Sequence, residues 1–375
     1  MKSLLAFAFL ALATAAPTGS QSEPQFKNAI GKNPGVIGLG GGIEGTSVDK
    51  TGKLYTVNSV GLYALDKENS TLWTNGTGGM SVVGLSSSRF TRTLGTLIGD
   101  PSGHKVLNVQ DPKKPTLFLD ASQMLQPNDM TISLDEKKIY FSGMNWTANV
   151  GEVWYYNVES KKLEKVPWTG DRANGIELSH DDAHLYVTSA RHNTTTFQTL
   201  FSSVIRYDIN KANGMPENPQ TVLDYRKLRN DAGYFPKDAG TNMYANLSTD
   251  ATAYGAAVKD RKNPQDNEMD FDPDGMRMDS KGTLFATLNA WKTVVMWDTT
   301  KASTTAKFME LETVYWPTNL ELGGPEGKTV TVVGKCKGNA NTCVDSFEHS
   351  TPGRAFKNLQ GDGGNTGKDT TDDCS

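Results

Sequence analysis

Six stretches of the sequence begin with a polar residue that is followed, in most of them, by apolar residues two and four positions later. These residues are Glu44, Ser81, Asn128, Asn174, Asp274 and Thr318. Two carboxylates and two amides among them form an oxygen-only set that suits Ca²⁺ first, then Mg²⁺ or Mn²⁺, with Zn²⁺ also possible. The sequence therefore predicts one divalent metal ion. Its predicted ligands are Glu44, Asn128, Asn174 and Asp274.

The elements that carry these residues read as β-hairpins. A turn of Asp, Gly, Lys or Ser and a second alternating run follow each residue, which is the pattern of two paired strands. The starting positions are 37 to 47 residues apart, with one gap of 100 residues, and this is the repeat length of propeller blades. We predict an all-β fold, a six-bladed β-propeller over residues 38–360. Its innermost strands would bring the six positions to one channel.

The gap of 100 residues could hold an insertion or a seventh blade. Residues 211–268 are polar and lack useful alternation, and they include a stretch that could form a helix, "STDATAYGAAVKDRK". Long loops of repeat folds usually cluster on one face. We therefore predict an insertion between the fourth and fifth repeat registers, forming a lid or rim rather than a blade.

Several of these residue types also have ordinary structural roles. Asn-Asp and Asp-Gly are common turn dipeptides, and only their recurrence at one register favours metal binding. The glycines from Gly40 to Gly45 precede a strand instead of the helix of a dinucleotide site. The histidines of His180–His184 occupy a hairpin turn rather than the helix of a zinc site. The acidic run Asp266–Asp274 fits a solvated loop better than a second Ca²⁺ site.

Two further residue types are candidates for the pocket. His192 could act as an acid or base, although a surface loop accounts for it more simply. Three tryptophans lie close to the inner-strand motifs: Trp146, Trp291 and Trp316. Most of them should pack between blades, and one could stack on a sugar-like substrate.

The amino terminus has the features of a secretory signal peptide. Lys2 precedes an apolar run of 13 residues that contains Ala13-Thr14-Ala15, an A-x-A pattern. The run is too short to cross a bilayer, and no later stretch approaches the ~18 apolar residues of a spanning helix. We expect a signal peptide at 1–15, a lead-in at 16–37 and a flexible tail at 361–375. The protein should be secreted, extracellular and free of membrane contacts.

Composition narrows the remaining possibilities. The net charge is −4, or −5 without Lys2, so the basic surface needed for nucleic acid is missing. Five sequons predict a glycoprotein, at Asn69, Asn75, Asn145, Asn193 and Asn246. Cys336 and Cys343 are close enough in sequence to form a disulfide, which leaves Cys374 unpaired. We expect a monomer.

Several motifs resemble those of the gluconolactonase and regucalcin (senescence marker protein) family of six-bladed propellers, which includes calcium-dependent phosphotriesterases. "IEG" at Glu44 is similar to the family's E-G motif, and "PND" at Asn128 to its N-D motif. "NGIELSHDD" from Asn174 and "PDGMRMDSKGTL" around Asp274 are the more specific matches. "TNLELGGPEGKT" and "TPGRAFK", residues 351–357, resemble the final blade and closing strand.

The resemblance implies that the same four residues bind the metal and that Asp129 contacts the substrate or the attacking water. The expected activity is hydrolysis of a sugar-type or related lactone by a metal-dependent hydrolase. Ca²⁺ would polarise the ring carbonyl, while Asp129 or Asp274 deprotonates water. A nucleophilic Asp274 is the competing mechanism and suits phosphoesters better. Gln126 replaces a basic residue that some members carry, which leaves the substrate open.

Two other functions are compatible with the sequence. One is a phosphotriesterase that uses the same metal ion. The other is a non-catalytic propeller in which the ion ties the blades together and one face binds a glycan or a protein. Asp129 favours an enzyme, because a structural site needs no further carboxylate. An open polar pocket above the metal would favour an enzyme too, and a plugged channel would favour a binding module.

Overall fold

A computed structural model of the chain describes residues 43–58, 61–65, 70–74, 84–193, 199–232, 271–289, 291–336 and 342–361. The predicted signal peptide, the lead-in, all but the first residue of the predicted tail, Ser81 and Cys374 lie outside these residues. The described residues form six antiparallel sheets. None of the helices in the described ranges has the length and apolarity of a membrane span.

Each sheet is one blade, numbered in chain order. Blade 1 contains β1 (Thr46–Val48), β2 (Leu54–Val57), β3 (Leu62–Leu65) and β4 (Ser70–Thr74). Blade 2 contains β5 (Ser87–Phe90), β6 (Thr96–Asp100), β7 (Lys105–Val109) and β8 (Thr116–Asp120). Blade 3 contains β9 (Asp129–Ile132), β10 (Lys138–Asn145), β11 (Val150–Asn157) and β12 (Lys162–Val166).

The second half of the chain repeats this order. Blade 4 contains β13 (Arg172–Leu178), β14 (His184–His192), β15 (Thr199–Ile209) and β16 (Pro216–Asp224). Blade 5 contains β17 (Asp272–Met278), β18 (Thr283–Asn289), β19 (Thr293–Asp298) and β20 (Lys307–Glu310). Blade 6 has three described strands, β21 (Val314–Gly323), β22 (Thr329–Cys336) and β23 (Thr342–Glu348). Helix α1 (Tyr225–Ala232) follows β16, and helix α2 (Arg354–Leu359) follows β23.

The first strands of the six blades form a closed ring. β1 contacts β5 and β21, and the remaining contacts run from β5 through β9, β13 and β17 to β21. This arrangement confirms the predicted six-bladed β-propeller. The first strands therefore surround the axis, and their residues at one register face a common channel.

The hairpin that opens blade 5 turns on an aspartate, as its sequence suggests. Asp279 Oδ1 accepts hydrogen bonds from the backbone N–H groups of Lys281 and Thr283, both at 2.8 Å. Gly282 completes this turn with φ of +99°, a conformation that favours glycine. The alternating residues on either side are buried between blades 4 and 5, where Met276 and Leu284 belong to one apolar cluster.

Two predictions about segments of the chain were wrong in part. Residues 216–224, predicted to belong to the insertion, form the outer strand of blade 4, where Ile209 pairs with Pro216 and Ser203 with Asp224. This edge strand is exposed over 217–221, so it lacks the apolar alternation of an inner strand. Residues 233–270 lie outside the described ranges, and a lid there stays a prediction.

The expected closing strand at 351–357 was also wrong, because Arg354 begins α2.

The predicted disulfide is present. Cys336 and Cys343 are bonded across the ends of β22 and β23, with 5.0 Å between their Cα atoms. Gly334 pairs with Cys343 and Lys335 with Thr342 in the same hairpin. The covalent bond therefore fixes one end of this strand pair.

Buried charges fill the channel in a layer below the six register positions. The layer is centred on Arg277, which is 1% exposed. Arg277 Nε donates to Glu321 Oε2 at 3.0 Å, and Nη1 to Asp129 Oδ2 at 3.4 Å. Its Nη2 donates to the carbonyl of Thr46 at 2.7 Å. One side chain from blade 5 therefore contacts blades 1, 3 and 6.

Arg354 closes the channel from the other end. From α2, its Nε donates to the carbonyl of Ser179 and its Nη2 to that of Ile132, both at 3.0 Å. Its Nη1 lies 3.5 Å from Glu177 Oε1, and its guanidinium also pairs with Asp182. The helix at the end of the chain thus supplies a cation to the axis.

We expect Arg354→Met to lower the free energy of unfolding by about 3–5 kcal/mol, because it leaves buried carboxylate and carbonyl groups without their partner. Urea denaturation would measure the loss. Lys357→Met, an exposed position in the same helix, is the control and should change stability by less than about 0.5 kcal/mol. Equal stability of the two variants would contradict a role for Arg354 in closing the channel.

Candidate functional site

The four predicted ligands line one cavity of about 570 Å³ at the end of the channel. Glu44 lies two residues before β1 and Asn128 directly before β9, whereas Asn174 and Asp274 lie within inner strands. All four are partly buried, as expected for side chains with one side toward an opening. Other residues that line the cavity include Leu85, Ser86, Gln126, Met144, Trp146, Asp272, Asn289, Trp316 and Lys335.

Irregular backbone directs two of these side chains. The pairing of β13 with β14 shifts between Ala173 and Ile176, and that of β17 with β18 between Pro273 and Met276. Asn174 and Asp274 lie inside these two shifts. Because bulges re-aim side chains next to functional sites, the irregularity explains how each oxygen ligand turns toward the axis.

The glycine after each of these two ligands is required by the neighbouring blade. A Cβ atom on Gly175 would lie 2.1 Å from the carbonyl oxygen of Asp274. A Cβ atom on Gly275 would lie 2.3 Å from Cγ of Asn319. The Asn-Gly and Asp-Gly pairs therefore mark close contacts between inner strands, and they are not hairpin turns.

Hydrogen bonds join the ligand residues to each other and to one residue that sequence reasoning missed. Asn128 Nδ2 donates to Asn174 Oδ1 at 2.7 Å. Asn289 Nδ2 donates to Asp274 Oδ2 at 3.0 Å. Asn289 ends β18 opposite Asp272, and only this strand pairing, which the sequence leaves implicit, brings it to the site.

The carboxylates of the site are destabilised in their charged forms. Removal from water raises the pKa of Glu44 to about 7, with the charge of Lys335 opposing the shift and that of Asp129 adding to it. Removal from water also raises the pKa of Asp274 well above its ordinary value, and the nearby charges of Glu44 and Asp272 raise it further. Two buried carboxyl groups that repel each other in this way favour a cation between them.

The donor set fits a hard divalent cation. Two carboxylates and two amides supply only oxygen and nitrogen, and Ca²⁺ takes oxygen ligands of both kinds. The part of the chain that the structure describes contains no group of three or more His, Cys, Asp or Glu residues placed to hold a metal. The candidate site is therefore this mixed set of acids and amides.

Asp129 lies deeper than the four ligands. The residue is 2% exposed, and it does not belong to the residues that line the cavity. Asp129 Oδ2 is 3.4 Å from Arg277 Nη1, and Oδ1 is 3.6 Å from Arg89 Nη2. The structure thus places Asp129 in the buried charge layer, and its predicted role toward water stays a prediction.

The two remaining register positions differ from the ligands. Blade 2 begins at Ser87, and Ser86, directly before it, is among the residues that line the cavity from this blade. The predicted register of blade 2 was therefore five residues too early. Thr318 is buried, and its hydroxyl group donates to the carbonyl of Val333 at 3.4 Å.

Trp146 forms one wall of the cavity, and two neighbouring side chains contact its ring. Its ring stacks on His192 with centroids 5.1 Å apart, and the Cζ atom of Arg172 lies 3.8 Å from its centroid. Arg172 Nη2 in turn donates to Asp272 Oδ1 at 3.0 Å. His192 is buried, which corrects its assignment to a surface loop. Removal from water, followed by the charge of Arg172, lowers the pKa of His192.

The other two tryptophans lie in different places. Trp316 lines the cavity with Trp146, whereas Trp291 is buried in the apolar cluster between blades 4 and 5. A second cavity of about 670 Å³ lies at the opposite ends of the blades. Its charged residues include Lys138 and Asp135, which pair with each other at 3.0 Å, and it contains none of the predicted ligands.

The fold and the site define a six-bladed propeller with a polar cavity over one end of its channel. Residues 43–334 match the family described as the SMP-30/Gluconolactonase/LRE-like region. The chain belongs to this family. None of the curated proteins compared with the chain matches it.

Three solved structures are similar to this chain in fold. A luciferin-regenerating enzyme has a TM-score of 0.58 at 13% identity, covering 86% of this chain and 97% of its own. A gluconolactonase from Xanthomonas campestris has a TM-score of 0.57 at 11% identity, covering 91% and 99%. A calcium-binding regucalcin from Agrobacterium tumefaciens has a TM-score of 0.53 at 13% identity, covering 86% and 97%. These likenesses show the fold.

The raised pKa of Glu44 predicts how stability depends on pH when chelator removes divalent ions. The folded-state pKa of about 7 lies above the ordinary 4.5, so protonated Glu44 stabilises the fold below pH 4.5. That contribution is lost as the pH rises through 7. The free energy of unfolding of the wild type relative to Glu44→Gln should therefore fall by about 3 kcal/mol between pH 4 and pH 8, at ~1.4 kcal/mol per pKa unit.

Denaturant titrations of both proteins in excess chelator would measure this difference. Glu326→Gln, an exposed acid in a hairpin turn, is the control and should follow the wild type at every pH. A constant difference between wild type and Glu44→Gln would show that Glu44 is not held in a water-poor, negatively charged site.

Proposed function

We propose that the protein is a metal-dependent hydrolase that opens a sugar-type or related lactone in the cavity above its channel. The observation that carries this proposal is the meeting of Glu44, Asn128, Asn174 and Asp274 at a cavity of about 570 Å³. A cavity of this size suits a small molecule. The membership in the SMP-30/Gluconolactonase/LRE-like family supports the same activity.

The four cavity ligands would hold one divalent ion, with Ca²⁺ preferred. A bound ion would supply Lewis acidity toward the ring carbonyl of the substrate. Asp274 would accept the proton of the attacking water, because it is a ligand that also lines the cavity. Asn289 donates to its Oδ2 at 3.0 Å and would keep the carboxylate in one orientation. A nucleophilic Asp274 is the alternative for a phosphoester substrate.

Asp129 receives a different role in this proposal from the one the sequence suggested. Its oxygens face Arg277 and Arg89, which compete with water for the same carboxylate. We propose that Asp129 positions the floor of the site through these ion pairs. The charge of Asp129 also reaches Glu44 and Asp274, since it raises the pKa of both.

The cavity supports catalysis, whether of a lactone or of a phosphoester. The channel is filled with ion pairs below the four ligands, but a cavity lies above them, and this favours an enzyme over a binding propeller. A phosphotriesterase would use the same cavity.

We propose secretion as well, on the basis of the signal-like residues 1–15 and the five sequons. One of these sequons, at Asn145, is exposed in blade 3.

Substrate assays test the proposed activity. Protein with saturating Ca²⁺ should hydrolyse five- or six-membered sugar lactones, and excess chelator should stop turnover until Ca²⁺ is restored. Asp274→Ala should lose activity by at least about 10²-fold, because it removes both a ligand and the proton acceptor. Glu326→Ala is the matched control and should retain wild-type turnover.

An organophosphate and an aryl ester, assayed in parallel, make the result decisive. Turnover of the organophosphate alone would replace the lactonase with a phosphotriesterase. If metal-replete protein turned over none of these substrates, the binding propeller would be the better account.

Asp129→Asn separates the two roles proposed for this residue. Because Arg277 and Arg89 would lose a buried partner, we expect the free energy of unfolding to fall by about 3 kcal/mol. Denaturant titration would measure it, with Glu159→Gln, an exposed acid of the same blade, as a control. Unchanged stability together with turnover reduced by about 10²- to 10⁴-fold would instead identify Asp129 as the general base.

A further inference from the structure

Lys335 is the one cation among the described residues that line the cavity. No hydrogen bond or ion pair within 4.0 Å joins its side chain to any residue in the described ranges. It lines the same cavity as Glu44 and Asp274. The fold therefore directs a positive charge at the site without using it to hold two elements together.

When the other charges around the cavity are balanced, the positive charge of Lys335 remains. Asp272 is paired with Arg172 at 3.0 Å, so the carboxylates without a partner cation are Glu44 and Asp274. One divalent ion would balance these two charges. The ammonium group of Lys335 would then match one negative charge that develops on a bound molecule during the reaction.

The position of Lys335 is fixed by its surroundings. It lies at the end of β22, where it pairs with Trp316 on one side and Thr342 on the other. The next residue, Cys336, forms the disulfide with Cys343. The paired strands and the disulfide hold the backbone from which the ammonium group, with its three donors, reaches the cavity.

We propose that Lys335 is a catalytic residue of the lactone hydrolysis, and that its ammonium group donates a hydrogen bond to the ring oxygen that leaves the carbonyl carbon. This inference rests on the proposed function and deepens it. Neutral lactones with an alkyl leaving oxygen are the substrate class that needs such a donor most. Stabilisation of developing negative charge by a preorganised donor is worth about 10²- to 10³-fold in turnover.

The reaction balances as the addition of one water. The oxygen of water bonds to the carbonyl carbon, and its proton passes to Asp274. The bond between the carbonyl carbon and the ring oxygen then breaks, and its electron pair stays on the ring oxygen beside Lys335. The proton held by Asp274 passes to that oxygen, so the product is a hydroxy acid and Lys335 remains charged throughout.

Two lactones that differ in their leaving oxygen test the inference. Lys335→Met should lower kcat by about 10²-fold on a six-membered alkyl lactone. On an aryl lactone, whose phenolate is a good leaving group, the loss should be less than about tenfold. Lys335→Arg should retain most of the activity because it keeps the charge. Lys328→Met, just before the other end of β22, should match the wild type.

Calorimetric measurement of Ca²⁺ binding tests whether the variant still forms the site. Lys335→Met should bind Ca²⁺ more tightly than the wild type by a few-fold, because a positive charge near Glu44 is gone. Wild-type turnover of both lactones by Lys335→Met would overturn the inference and leave the proposed function intact. Equal losses on both lactones, or loss of Ca²⁺ binding, would overturn it too. A wild-type protein inactive on every lactone would overturn the proposed function and this inference with it.

Discussion

The ion pairs of Arg277 on the propeller axis are the interaction on which the rest of the structure depends. Its guanidinium contacts Asp129, Glu321 and the carbonyl of Thr46, and so joins four of the six blades. Because an unpaired buried charge is strongly destabilising, these blades must take the relative positions that satisfy all three contacts. The inner strands are thereby placed around the channel before any ligand binds.

The charges along the axis differ between two layers. The lower layer is balanced by its own residues, with Arg89, Arg277 and Arg354 opposite Asp129, Glu177 and Glu321. The upper layer is not balanced, since Glu44 and Asp274 both have raised pKa values. The protein thus supplies its own cations below and leaves a place for a divalent cation above. This contrast locates the candidate site at one end of the channel.

Residues with a strong local signal were predictable from the sequence. The Asn-Gly and Asp-Gly pairs at Asn174 and Asp274 recur at one register, and alternating apolar residues follow both. The alternation of apolar residues is strongest in these inner strands, because they are buried on all sides. The metal ligands proposed from the sequence therefore line one cavity.

Features that depend on packing between distant elements were not predictable. The outer strand Pro216–Asp224 is mostly exposed, so its sequence resembles a loop. Arg354 reaches the axis from a helix after the last blade, and no repeat marks its position. Asn289 and Lys335 come from second strands of their blades and reach the cavity only because those strands pair with inner ones.

Calcium binding to chelator-treated protein is the most direct test of the unbalanced upper layer. Calorimetry of the wild type should show one Ca²⁺ per chain, and Asp274→Asn should lose most of that affinity because a single carboxylate would remain to oppose the ion. Asp298→Asn, which alters the last residue of β19, should bind Ca²⁺ as the wild type does. No binding to the wild type, or equal binding to Asp274→Asn, would contradict this account of the channel.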